Sequence, residues 1–130
     1  QASGLEPDPG LQVDAVTSEQ SGMEAVAELA ARGQSYDAIF AASDLIAIGA
    51  MKALHERGLR VPTDVAIAGF DDIPMAGFVN PSLSTVQQDT KLAGSMLVEN
   101  LLRLINDEPV ESQTIPVKLA LRKSSGAAQA

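Results

Sequence analysis

The chain has 130 residues, of which 45% are hydrophobic and only 3% aromatic, and its formal net charge is −8. That length suits a single domain whose core must be built from aliphatic and alanine side chains. The negative charge, with no run of Lys and Arg, argues against binding of nucleic acid or an anionic membrane by these residues themselves. The sequence has no Cys, which excludes disulfides, thiolate nucleophiles and cysteine-based metal sites.

The first segments of the chain predict a loop, a strand and a helix. Residues 1–10 are rich in Gly, Pro and polar side chains and are expected to form a loop or frayed end. Leu11–Val16 is a candidate short strand. Thr17 or Ser18 can cap a helix over residues 19–32. The apolar positions of that helix at helical spacing are Met23, Val26, Ala27 and Ala30.

The middle of the chain predicts a parallel sheet. Residues 38–42 and 65–69 are short apolar runs that do not alternate with polar residues, which is typical of strands buried on both faces. A helix is predicted between them over residues 45–57. The order β-α-β-α-β indicates an α/β fold with a parallel, doubly wound sheet. Ligands of such sheets bind beyond the carboxyl ends of the strands, where Ser43-Asp44 and Asp71-Asp72 would converge.

The segment from residue 70 to residue 83 breaks this pattern with two prolines, a glycine and several apolar side chains. A loop that apolar is normally covered. It either packs on its own domain or forms a subunit interface, and the composition leaves both open. Its large apolar side chains include Ile73, Met75, Phe78 and Val79.

The last third of the chain predicts one more helix and an edge strand. An extended piece over residues 83–86 precedes a helix over 89–105. Residues 114–122 alternate, with Ile115, Val117, Leu119 and Leu121 on one face, and contain Pro116. This pattern indicates a half-buried edge strand, where a proline is tolerated. The tail, residues 123–130, is predicted to be disordered.

The tandem acids Asp71-Asp72 have three possible roles. Tandem acids at a strand end can hold a divalent cation, but such sites need further oxygen ligands and usually a nearby lysine, which no strand end supplies here. They can also be solvated or capping loop residues. The favoured interpretation is that Asp71 accepts hydrogen bonds from a ligand, because charge-assisted bonds are strong. In Ser43-Asp44 one residue is expected to cap the following helix.

No catalytic machinery is visible in the sequence. His55 is the only histidine, and it lies late in a predicted helix, away from the strand ends. No serine stands in a G-x-S-x-G turn, and no phosphate-binding glycine motif is present. The sequence therefore predicts no enzyme, no cofactor and no metal site.

Three stretches together resemble the lactose/galactose-repressor (LacI/GalR) family. They are FAASDLIAIGAMKALHERGLRVPTDVAIAGFDD at 40–72, NPSLSTVQQD at 80–89 and IPVKLALRKSS at 115–125. The resemblance runs from about residue 11 to residue 125. It implies the periplasmic-binding-protein-like type I fold, in which two α/β lobes close on a small ligand. Residues 11–88 would be most of the C-terminal lobe, whereas in relatives the helix and strand within 89–122 join the N-terminal lobe.

The resemblance also implies roles for individual residues. Asp71, Ser43, Gln88 and Thr90 would contact the ligand, and Asp44 would be a structural acid that caps its helix. The implied dimer interface consists of Ile48, Ile73, Met75, Phe78 and Val79.

The implied partners are a small-molecule effector, which is a sugar or a nucleobase, and a second copy of the chain. Operator DNA would be bound only through a helix-turn-helix upstream of Gln1, in a cytoplasmic regulator. Two other functions are compatible with these residues. An exported sugar-binding protein shares the fold and would be distinguished by a signal peptide. A metal-dependent phosphoryl-transfer domain shares the sheet and would be distinguished by Mg²⁺ binding through Asp71.

Overall fold

The structure is a computed structural model that describes Gly4 and residues 6–127. Its α-helices within that part are α1 (Glu19–Ala31), α2 (Asp44–Glu56) and α3 (Thr90–Ile105). Its strands are β1 (Ala38–Phe40), β2 (Ala66–Phe70), β3 (Ser84–Gln88) and β4 (Val117–Ala120). Short 3-10 helices cover Pro9–Leu11, Pro74–Gly77 and Lys123–Ser125.

The four strands form one sheet in the order β1-β2-β3-β4. β1, β2 and β3 are parallel, whereas β4 pairs antiparallel with β3. The predicted α/β fold and the edge position of the last strand are confirmed, but the sheet is mixed rather than purely parallel. Alternating side chains indicate an edge strand without indicating its direction, so the sequence could not show this.

β4 joins the sheet described above through β3. Main-chain bonds of β4 join it to β3, with Thr85 opposite Ala120 and Gln88 opposite Val117. This strand therefore belongs to the same sheet as β1 and β2. The lobe to which residues 89–122 belong in relatives stays a prediction.

The core lies where α1 packs on α2 and α2 packs on β2. Leu54 of α2, Ile67 of β2 and Leu83 are fully buried there. Close helix packing depends on two glycines, because a Cβ at Gly22 would lie 2.0 Å from the carbonyl oxygen of Ile46 and one at Gly49 would lie 1.8 Å from that of Glu19.

The buried stripe of α1 differs from the predicted one. Ser21, Gly22, Val26 and Leu29 are buried, whereas Ala27 and Ala30 are exposed. Gly22 faces α2, which allows the close approach described above. Ser18, one of the two predicted caps, begins the helix by accepting a hydrogen bond from the N–H of Ser21.

Leu11–Val16 does not form the predicted strand. Its backbone groups bond to α1 instead of to the sheet: Arg32 donates to the carbonyl of Gln12 at 2.8 Å, and the N–H of Val16 donates to Ser21 Oγ at 3.0 Å. With those groups already paired, the segment lies beside α1 and borders a groove next to β1.

The predicted disorder of residues 123–130 is wrong for the part that the structure describes. Lys123–Ser125 forms a 3-10 helix, and Ser124 is fully buried. Its hydroxyl donates to the carbonyl of Ile67 and accepts from the N–H of Ser84. Residues 128–130 lie outside the described residues, as do residues 1–3 and Leu5 of the predicted N-terminal loop.

Apolar side chains of two strands, β4 and β1, are more exposed than predicted. β4 was expected to be half-buried, yet Val117, Leu119 and Leu121 are all more than half exposed. Phe40 of β1, in a run expected to be buried on both faces, is 67% exposed. Every residue of α3 is at least partly exposed. Among the described residues, α1 packs on α2 and α2 packs on β2, and the side chains named above stay exposed. Of the described helices, none has the length and hydropathy that crossing a bilayer requires.

We expect Gly22→Ala to lower the free energy of unfolding by about 1–3 kcal/mol or more, because the added methyl would overlap backbone atoms of α2. Gly94→Ala is the matched control, since a Cβ at this helical glycine meets nothing within 4 Å. That control should raise stability by up to about 1 kcal/mol through helix propensity. Urea unfolding of the three proteins measures both effects, and equal midpoints would contradict the packing argument.

Candidate ligand-binding site at the carboxyl edge of the sheet

The carboxyl ends of β2 and β3 bring two of the predicted ligand contacts together. Asp71 directly follows β2, and Gln88 is the last residue of β3. The amide Nε2 of Gln88 donates a 2.7 Å hydrogen bond to Asp71 Oδ1. Both side chains are exposed. The pair therefore presents a carboxylate, which accepts hydrogen bonds, beside an amide, which both donates and accepts them.

Thr90 lies next to this pair as the first residue of α3 and is exposed. Asp89 caps the helix by accepting a 2.8 Å bond from the N–H of Leu92. A groove of about 320 Å³ runs along this junction. It is lined by Gln87, Gln88, Asp89, Thr90, Lys91, Leu92, Pro116 and Lys118. Gln88 and Thr90 thus face a common concave surface.

Ser43 begins α2 as its N-cap. Its hydroxyl accepts a hydrogen bond from the N–H of Ile46 at 3.3 Å, and the residue is only 4% exposed. The structure assigns this oxygen to the helix end and connects it neither to Asp71 nor to Gln88. Ligand contact by Ser43 stays a prediction.

Asp44 is a structural acid, as predicted, but it is not the helix cap. Its residue is 1% exposed, and its carboxylate accepts bonds from the Thr85 hydroxyl at 2.6 Å and from the N–H of Ile73 at 2.8 Å. Because Ser43 already caps α2, Asp44 is free to connect the start of the helix to β3 and to the loop after β2. Gly69 makes room for it, since a Cβ there would lie 2.2 Å from Asp44 Oδ1.

Asp72 points away from the Asp71–Gln88 pair and is held by two donors. Arg122 Nη2 donates to Asp72 Oδ1 at 2.7 Å, and Gln87 Nε2 donates to Oδ2 at 3.0 Å. The backbone N–H of Asp72 donates to the Thr85 hydroxyl oxygen at 3.3 Å. Sequence reasoning missed Thr85, Gln87 and Arg122, because each lies 13 to 50 positions from its acidic partner.

The described residues contain no group of three or more His, Asp or Glu side chains that could hold a metal ion. Asp71 and Asp72 are adjacent in sequence, but the carboxylate of Asp71 accepts a hydrogen bond from Gln88 and that of Asp72 accepts one from Arg122. The tandem acids therefore do not share a ligand shell.

The predicted interface residues form two groups. Ile48, Ile73 and Val79 are partly buried against the core, whereas Met75 is 54% and Phe78 85% exposed. A larger groove of about 690 Å³ includes Ile48 and Val79 among its lining residues. Leu59, Arg60 and Val61 also line it and precede β2, so this groove lies away from the carboxyl edge of the sheet.

Comparison with known proteins identifies the family. The model of the periplasmic binding protein-like domain family matches residues 1–125. The chain belongs to this family. Among its relatives, the transcriptional regulator CelR of Thermobifida fusca is 38% identical over 120 residues, which are 92% of this chain and 34% of that protein.

Solved structures of LacI-family regulators have the same fold. The complex of the transcriptional regulator CelR with cellobiose superposes with a TM-score of 0.87 at 36% identity, over 95% of this chain and 38% of that one. The lac repressor dimer bound to operator and the anti-inducer ONPF gives a TM-score of 0.80 at 35% identity, over 87% of this chain and 34% of that one. The resemblance to the LacI/GalR family is therefore confirmed. The chain spans about a third of the length of the curated relatives that it matches.

We expect Thr85→Val to lower the free energy of unfolding by about 1–3 kcal/mol, because the buried Asp44 carboxylate would lose a donor and the N–H of Asp72 an acceptor. Thr85→Ser keeps the hydroxyl and loses one methyl group, which should cost about 0.8 kcal/mol. Urea unfolding of both variants tests this. Equal losses would show that the hydroxyl is not what matters at this position.

Proposed function

We propose that this chain is the effector-binding and dimerising part of a LacI-type transcriptional regulator, and that its effector is a sugar. The observation that carries the proposal is the exposed Asp71–Gln88 pair at the carboxyl edge of the sheet. A sugar hydroxyl donates one hydrogen bond and accepts others, so a carboxylate beside an amide suits it. Thr90 adds a hydroxyl on the same side.

The comparisons support a sugar because one of the matching structures is a regulator bound to cellobiose. They also favour a regulator over an exported binding protein, because the matching relatives include transcriptional regulators and operon repressors. A regulator of this kind acts in the cytoplasm and reads its operator through a separate DNA-binding segment.

The proposed mechanism is a shift between two lobe arrangements. The Asp71–Gln88 pair forms one side of the effector-binding site, and a second lobe forms the other. An effector that binds the closed arrangement better shifts the population toward it. A change in lobe closure then alters the geometry of the dimer and hence the spacing of its DNA-binding segments.

The test of effector binding is a thermal-shift screen of the full protein against sugars, beginning with cellobiose, and against nucleobases. A ligand present at 100 times its Kd should add about 2.7 kcal/mol of stability. We expect Asp71→Ala to weaken binding of the ligand found by roughly 10- to 100-fold, since hydrogen bonds to charged groups contribute about 1.5–3 kcal/mol.

Asp37→Ala is the matched control for that experiment. Asp37 is also exposed, but it precedes β1 and so lies at the opposite, amino edge of the sheet. This variant should bind the ligand like the wild type. Equal losses in the two variants would attribute the effect to net charge rather than to the site, and a folded protein that responds to no sugar would contradict the proposed effector class.

Dimerisation is supported by the exposed apolar side chains of Met75 and Phe78. They lie on the segment that follows β2, where the 3-10 helix Pro74–Gly77 is anchored by the fully buried Ala76. Val79, next in the chain, lines the larger groove together with Ile48. Large apolar side chains this exposed beside a groove are typical of protein–protein contacts.

We expect Phe78→Asp to weaken the dimer by roughly 30-fold or more, because truncating an aromatic residue at the centre of an interface typically costs at least about 2 kcal/mol. Phe78→Leu keeps an apolar side chain and should retain most of the association. Sedimentation equilibrium measures both dissociation constants. A Phe78→Asp protein with wild-type association would place the interface elsewhere.

A further inference from the structure

The two neighbouring acids Asp71 and Asp72 differ in what surrounds them. Asp71 is exposed and accepts a hydrogen bond from Gln88, whereas the side chain of Asp72 is only 13% exposed and is paired with Arg122, whose side chain is 26% exposed. Both acids have positive φ angles, 105° for Asp71 and 51° for Asp72. Such a backbone is unfavourable for residues with a Cβ and persists where surrounding contacts hold it.

Contacts that hold this turn include three consecutive backbone N–H groups. The N–H of Asp71 donates to the carbonyl of Val86 at 2.9 Å, that of Asp72 to the Thr85 hydroxyl, and that of Ile73 to the buried Asp44 carboxylate. The side chain of Asp72 adds the contact from the opposite direction, through Arg122. The turn is therefore held by β3, by the start of α2 and by Arg122, which follows β4.

Arg122 is itself fixed at more than one point. Its backbone N–H donates to Ser84 Oγ at 2.7 Å, and its Nη1 donates to the carbonyl of Leu83 at 2.8 Å. Two residues later, the buried Ser124 bonds to both β2 and β3, through the carbonyl of Ile67 and the N–H of Ser84. The guanidinium thus reaches Asp72 from a backbone that is tied to the two strands whose ends form the site.

We propose that Arg122 is a positioning residue for the effector-binding carboxylate of Asp71, and that it acts through Asp72. By holding the side chain of Asp72, Arg122 keeps the left-handed turn in the one conformation that directs Asp71 to Gln88. The role assigned to Asp71 rests on the proposed function. A site that is already in its bound conformation binds more tightly because less ordering remains to be done on binding.

The first arm of the test needs no ligand. Hydrogen exchange of the full protein follows the amides of Asp71, Asp72 and Ile73 in Arg122→Met, which keeps an unbranched apolar side chain and removes the charge. We expect these amides to exchange roughly tenfold faster in the variant than in the wild type, or faster still, while the amides of α1 and α2 keep their protection. Arg122→Lys, which retains the charge, should restore part of the protection. Lys123→Met is the matched control, because it removes one positive charge at the neighbouring exposed residue.

Two outcomes of the exchange experiment would overturn the proposal. Unchanged exchange at the three amides would show that Arg122 does not hold the turn. Faster exchange throughout the sheet and α2 would show a general structural role instead. If Arg122→Met does not fold, Asp72→Asn replaces it, because that variant leaves the bonds from Arg122 to Ser84 and Leu83 in place.

The second arm measures affinity, with cellobiose as the first probe. We expect Arg122→Met and Asp72→Asn each to weaken binding by roughly tenfold, and the double variant to be no weaker than either single one, since residues acting through one contact are not additive. An additive double variant, or a loss confined to Arg122→Met, would mean that Arg122 contacts the ligand itself. Unchanged affinity in Arg122→Met would overturn the proposal. If no sugar binds the wild type, the proposed function fails, and the exchange arm alone decides whether Arg122 positions the turn.

Discussion

The buried carboxylate of Asp44 is the contact on which the carboxyl edge of the sheet depends. It accepts one hydrogen bond from Thr85 in β3 and another from the backbone of Ile73, after β2. A buried carboxylate without donors is very unfavourable, so Asp44 strongly favours the arrangement in which both of these donors reach it. Gly69 is part of the same constraint, because any Cβ at that position would occupy the space of the carboxylate. The turn that holds Asp71 is positioned by this arrangement.

Asp71 and Asp72 are adjacent in one motif but have different partners. Two neighbouring acids at a strand end can look like a cation site in the sequence, because carboxylates are the usual ligands of hard cations. The left-handed backbone of Asp71 and Asp72 separates their side chains, one toward the exposed Gln88 and the other toward Arg122. Because Asp72 is already paired with Arg122, its carboxylate is better suited to holding the turn of Asp71 than to binding a ligand.

Under the proposed function, the Asp71–Gln88 pair and Thr90 are one side of a ligand-binding site. Asp71 follows β2, Gln88 ends β3 and Thr90 begins α3, and a groove lined by Gln88 and Thr90 lies at this junction. In a regulator that closes two lobes on its effector, such a half-shell is useful, because the ligand then bonds fully only to the closed arrangement. The rigidity of the turn matters for the same reason: a mobile Asp71 would have to be ordered at each binding event.

Helices and strands could be predicted from the sequence because they follow from neighbouring residues. The apolar runs before Ser43 and Asp71, and the helical spacing of apolar side chains in α2, are local patterns, and their positions place the candidate ligand contacts at the carboxyl ends of strands. Tertiary structure alone decided which side chains pair. The antiparallel direction of β4, the burial of Ser124 and the ion pair between Arg122 and Asp72 each join residues far apart in the chain. No local pattern encodes such pairs, since they depend on how distant backbone segments meet once the core has packed.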